Sequence, residues 1–159
     1  MESYKLDYES RPNLVVRFSL TGDNLQPEII TRTLGVLPEK AWAKGDAWAR
    51  PDNSSFNPRS TRPTGRWSLI PSCSKYDDLE TQLGSLLSIL EALPSQLYEY
   101  VKTYNGEISI ACSTGENNFG FHFGPNILER LQKIGVAVDL DIYPIHESDS
   151  LNSKETIDD

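Results

Sequence analysis

Residues Leu14–Val36 read LVVRFSLTGDNLQPEIITRTLGV, and three local signals follow one another within them. Leu14, Val16, Phe18 and Leu20 alternate with Val15, Arg17, Ser19 and Thr21, the two-residue period of a strand with one buried face. Thr21-Gly22-Asp23-Asn24 has turn chemistry. Pro27 then suits the first turn of a helix, where its missing N–H costs nothing. Ile29, Ile30, Thr33 and Leu34 make the apolar side of that helix, and Gly35 supplies a left-handed stop. The same order recurs further along. Phe119, Phe121 and Phe123 alternate with Asn118, Gly120 and His122, Pro125 opens a helix with Ile127, Leu128, Leu131 and Ile134 inward, and Gly135-Val136 closes it. Each copy lays one helix on one face of a sheet. The expected class is therefore α+β: a ferredoxin-like, antiparallel-rich sheet with helices packed on one face, built from two similar half-repeats.

The segments between the copies extend this plan. A short extended piece is expected around Lys40–Lys44. Gly65–Ile70 reads as a strand with Trp67 and Leu69 inward and Arg66 and Ser68 outward. Asp77 and Asp78 place negative charge at a helix start, where the macrodipole favours it. Leu79, Leu83, Leu86, Leu87 and Leu90 then repeat at helical spacing. Pro94 interrupts the helix, and Leu97, Val101 and Tyr104 carry its stripe on to a cap at Gly106. Ile108, Ile110 and Cys112 predict a strand that pairs as a hairpin with Phe119–Phe123. Val136, Val138, Leu140 and Ile142 make the last strand, ended by Pro144. One domain over 13–144 is expected, with flexible termini at 1–12 and 145–159.

Between the first helix and the Trp67 strand runs AWAKGDAWARPDNSSFNPRSTRPTGRW, from Ala41 to Trp67. It holds all three tryptophans of the chain, and no apolar period in it is long enough for a helix. From Lys40 to Trp67 six cationic residues face two aspartates, a surplus of four in a chain of net charge −8. Long connections of this kind are often functional. Trp42, Lys44, Gly45, Asp46, Arg62, Thr64, Arg66 and Trp67 are the candidate binding residues. Glycine permits close backbone approach, arginine presents a fork that suits carboxylate or phosphate, and an indole beside it makes a stacking surface. The competing reading buries Trp42 and Trp67 in the core and pairs Arg62 and Arg66 with the protein's own carboxylates.

The outward positions of the strands form a second candidate face containing Arg17, His122, Asp139 and Asp141. Two aspartates two apart on a strand have side chains about 7 Å apart on one face. With a histidine they could do acid–base work or hold a metal. Cross-strand pairing with Arg17 and Arg66 explains the same residues structurally. His122 and His146 are the only histidines, and no Cys/His cluster, HExxH, GxSxG, Walker-type or GxGxxG pattern is present. No catalytic residue, metal or cofactor is therefore assigned.

Composition limits the partners. The 159 residues carry 23 Asp plus Glu against 15 Lys plus Arg, a balance that disfavours nucleic acid and anionic membranes. No apolar run is long enough to span a membrane, and the N-terminal residues lack a signal-peptide core. Cys73 and Cys112 are expected to be reduced thiols in a cytoplasmic protein.

The motifs together resemble a bacterial family, domain of unknown function 4279. The resemblance lies in Val16-Arg17-Phe18, Gly22-Asp23-Asn24-Leu25 and Pro27-Glu28-Ile29-Ile30-Thr31. It continues through Leu34-Gly35-Val36-Leu37-Pro38, Trp42-Ala43-Lys44-Gly45-Asp46, Arg62-Pro63-Thr64-Gly65-Arg66-Trp67-Ser68 and Leu140-Asp141-Ile142-Tyr143-Pro144. It implies a small α+β domain and brings no activity, substrate or catalytic residue with it. The reading is a non-enzymatic binding module recognising a protein or anionic partner through the Trp/Arg-rich loop 42–67. One version is an immunity-type protein whose acidic remainder blocks a basic toxin. The alternatives are a small enzyme using Asp139, Asp141 and His122, and a homo-oligomer that buries the open sheet face.

Overall fold

Strand β1 (Asn13–Gly22) is the middle of a five-stranded sheet, with β3 (Gly65–Leu69) on one side and β4 (Glu107–Thr114) on the other. A short β2 (Lys40–Trp42) borders β3, and β5 (Ala137–Pro144) borders β4, giving the order β2-β3-β1-β4-β5. The computed structural model describes residues 12–48, 61–115 and 120–144. The expected flexible ends, apart from Pro12, lie outside the described residues, as does the middle of the basic loop with Arg50 and Arg59.

The alternation in β1 sets its central place. Leu20 lies opposite Trp67, Phe18 lies between Leu69 and Ile108, and Val16 and Leu14 face Ile110 and Cys112. All of these side chains are buried in one cluster. The helices α1 (Pro27–Leu34), α2 (Leu79–Ala92), α3 (Gln96–Thr103) and α4 (Pro125–Ile134), with Leu25 from the turn before α1, supply the rest of that cluster. The leucine stripe of α2 is buried throughout, at Leu79, Leu83, Leu86, Leu87 and Leu90. Its start is fixed by Asp78, whose carboxylate accepts from the Thr81 N–H at 2.9 Å and from the Thr81 hydroxyl at 2.8 Å. Those bonds hold the Asp78 carboxyl below its ordinary range. Arg130 of α4 forks onto Glu91 at 2.8 Å and donates to Ser88, joining α4 to α2.

Two expectations are corrected. Ile29 and Leu128, assigned inward, are exposed. Each neighbours a buried isoleucine (Ile30, Ile127), and one residue turns a helix by about 100°, off a narrow buried stripe. The hairpin after β4 does not form: residues 120–124 carry no strand, and Phe119 lies outside the described residues. A strand has two edges, and those of β4 are taken by β1, antiparallel, and β5, parallel. Parallel pairing needs a crossover, which α4 provides. Phe121 and Phe123 instead pack against the core from an irregular segment. The last strand, β5, is not buried. Val138, Leu140 and Ile142 stand in register with Ile108, Ile110 and Cys112 on the helix side, yet every residue of β5 is exposed.

Candidate functional site

The two ends of the basic loop are joined into a ribbon that continues the β2–β3 pairing. Gly45 has φ +91°, where a side chain would be strained, and so turns the chain at Lys44-Gly45-Asp46. The Asp46 carboxylate accepts from the Ala43 N–H at 2.8 Å and closes that turn. Gly45 N–H donates to the Arg62 carbonyl at 2.9 Å, Arg62 N–H donates to the Asp46 carbonyl at 2.8 Å, and Ala47 bridges Thr61. Lys44 is ion-paired with Asp23 in the turn after β1, and that hydrogen bond lowers the Asp23 pKa. At the other post, a Cβ on Gly65 would lie 2.9 Å from the Gly22 carbonyl oxygen. Glycine at 65 therefore lets β3 run against the end of β1.

Inside this ribbon the guanidinium of Arg62 is held between two indoles, 4.0 Å from the Trp42 ring centroid and 3.7 Å from that of Trp48. Both indole N–H groups are spent on the backbone: Trp42 donates to the Thr64 carbonyl at 3.0 Å and Trp48 to the Thr61 carbonyl at 3.1 Å. Each ring is thus oriented by the backbone on either side of Arg62. The Arg62 Nε is buried without a hydrogen bond. Among the described residues no carboxylate pairs with Arg62, and charge–quadrupole attraction to the two rings holds it. Trp48 was not among the candidate residues, although its spacing from Trp42 across a glycine turn puts both rings within reach of one side chain.

Trp67 is corrected from binding residue to core. It is 0% exposed and donates to the Thr31 hydroxyl of α1 at 3.0 Å. The strand period explains this: Trp67 faces the helices, while Arg66 and Trp42, paired across β3 and β2, face the open side. Arg66 donates to the Ser19 hydroxyl at 2.8 Å. Thr64 contributes its backbone carbonyl to the Trp42 indole.

Arg17 on the same open face forks onto Glu39, with Nε–Oε2 at 3.1 Å and Nη2–Oε1 at 3.3 Å. The Ser68 hydroxyl also donates to Glu39, and Lys40 pairs with it. Burial pushes the Glu39 pKa up, but hydrogen bonds from Arg17 and Lys40, the Arg17 charge and the Ser68 bond together bring it below the ordinary value. Asp139 and Asp141 are not the partners of Arg17. Ser109 of β4 stands in register with both Arg17 and Asp139, which separates them by two strand spacings, roughly 9–10 Å.

His122 joins neither aspartate. It lies in the segment before α4, lining a cavity of about 430 Å³ together with Pro12, Leu14, Tyr76 and Leu79. Leu14 belongs to the helix side of the sheet, whereas Asp139 and Asp141 stand on the open side. Among the described residues no group of three His, Cys, Asp or Glu side chains could hold a metal ion. Cys112 is buried, and burial pushes its thiol pKa up. No helix of the described residues is long and apolar enough to cross a membrane.

No curated protein and no solved structure gives a match to this chain. A family model, described as a domain of unknown function (DUF4279), matches residues 12–144. That span takes in the lysine-glycine-aspartate turn, the arginine stack and the whole sheet, and the chain belongs to this family.

Proposed function

We propose that the protein is a non-enzymatic binding module that recognises an anionic group of a partner protein at the Trp42 end of the open sheet face. One observation carries this reading. Arg62 and Arg66 flank the same indole, one stacked on it and one beside it across β2 and β3, and no carboxylate of the described residues pairs with either. The neighbouring cations Arg17, Lys40 and Lys44 are all ion-paired. A charge held in position by the protein's own rings costs little further ordering when it meets an anion. Fork geometry suits a carboxylate or phosphate.

The test is a titration of the full chain with inorganic phosphate, citrate and a blocked hexaglutamate peptide, read by indole fluorescence. A saturable response that weakens with added salt is expected for at least one of them. Arg66→Gln keeps a donor for Ser19 and should weaken that response. Lack of any saturable response at low salt, or an unchanged one in Arg62→Gln/Arg66→Gln of wild-type melting temperature, overturns the proposal.

Support for a ferredoxin-like scaffold comes from the order β2-β3-β1-β4 with all three neighbour pairs antiparallel, the arrangement of a split β-α-β unit. The α4–β5 unit is then an addition at one edge. Support for half-repeats is confined to the helices. Both α1 and α4 open on proline and close on a left-handed glycine, with φ 69° at Gly35 and 80° at Gly135.

A further inference from the structure

The sheet has two edges of different character. At one, β2 has only three residues and carries Lys40, the kind of short, charged edge that discourages pairing. At the other, β5 runs for eight residues, all exposed. Ala137 N–H donates to the Gly106 carbonyl on the β4 side. Backbone groups alternate sides along a strand, so Asp139 and Asp141 also turn theirs to β4. Val138, Leu140 and Ile142 turn their N–H and C=O groups outward. Among the described residues no strand pairs with that side, which leaves a row of open donors and acceptors.

The side chains of β5 are sorted by chemistry as well. On the helix side Val138, Leu140 and Ile142 are 42%, 39% and 50% exposed, an apolar strip that continues the core beyond its covered part. On the open side Asp139 and Asp141 stand in register with Ser109 and Ala111 of β4, and Glu107 stands opposite Ala137 on the same face; among the described residues no ion pair engages any of these three carboxylates. This charge pattern disfavours a second copy of the chain. Antiparallel pairing of two β5 strands about Leu140 would set Asp139 of each against Asp141 of the other, and like charges directly opposed are destabilising.

We infer that β5 is a strand-addition site for an extended segment of a partner protein in which apolar and basic side chains alternate. The partner's main chain completes the hydrogen bonds of Val138, Leu140 and Ile142, its apolar residues cover their side chains, and its lysines or arginines face Asp139 and Asp141. This surface lies at the sheet edge away from Trp42, so it stands or falls independently of the proposal above.

The experiment titrates isotope-labelled full-length protein with a blocked heptapeptide of alternating valine and lysine, following backbone amide resonances. Two controls are a valine–glutamate peptide and a permuted valine–lysine peptide without alternation. Saturable shifts centred on Val138, Leu140 and Ile142 are expected for the alternating basic peptide alone. Asp139→Lys/Asp141→Lys, two exposed positions, should weaken that binding by about tenfold or more and transfer the preference to the valine–glutamate peptide. Leu140→Pro removes an outward N–H without breaking a ladder bond and should abolish binding to either. Three results overturn the inference: equal response to all three peptides, no shift in β5 at millimolar peptide, or β5 amides already protected from exchange in the free protein by self-association or by another part of the chain.

Discussion

Trp67 and Trp48 sit at opposite ends of exposure, 0% and 39%, although the sequence sets both among arginines. The difference is which side of a strand each occupies. Trp67→Ala should cost roughly 3–5 kcal/mol, as a large core truncation does, measured by urea denaturation. Trp67→Phe should cost less, because it keeps most of the apolar burial and loses the hydrogen bond to Thr31. A near-neutral Trp67→Ala would return that residue to the binding surface. Arg62 shows the converse. Its residue type invited a carboxylate, and the chain answers with two indole faces.

At the scale of elements, α2 is the part most legible from sequence. Its leucine spacing, its acidic start and its stop before Pro94 all hold. The capping role falls on Asp78 rather than being shared, since Asp77 accepts from the Ser74 N–H outside the helix. Asp78→Ala should destabilise the protein by about 0.5–2 kcal/mol, and Asp78→Asn by much less, as read from chemical denaturation midpoints. A cost for Asp78→Ala indistinguishable from zero would show that the helix start is set by the packing of Leu79 alone. The Phe119–Phe123 alternation misled for a definable reason. A period of two says that alternate side chains share a side, but not whether an edge is left for the strand to join. Both edges of β4 were already occupied.

For the whole molecule, acid stability should follow the carboxylates that join separate elements. Glu39 ties the α1–β2 connection to β1 and β3 through Arg17 and Ser68, and Glu91 ties α2 to α4 through Arg130. Both pKa values are lowered in the folded protein. Unfolded chains therefore bind more protons, so this contribution is complete above the ordinary glutamate value of 4.5 and is lost as pH falls through the folded values. Glu39→Gln should melt lower than wild type near neutrality, and the two should converge in acid, in thermal melts from about pH 7 to about pH 3. Parallel curves across that range would show that Glu39 contributes through packing rather than charge.

The sequence by itself determined which segments are strands and helices wherever a period ran long enough, and it marked the basic loop ends as distinctive. Leu14–Leu20, the α2 leucines and the proline and glycine ends of α1 and α4 are local facts, set by side-chain spacing and backbone freedom within one segment. Only the tertiary structure decided that Trp48 stacks on Arg62, that Arg17 takes Glu39 instead of Asp139, and that β5 lies parallel at an edge of the sheet. Each of these depends on which strands are neighbours. Neighbour order follows from long-range pairing and the filling of strand edges, which no local period encodes.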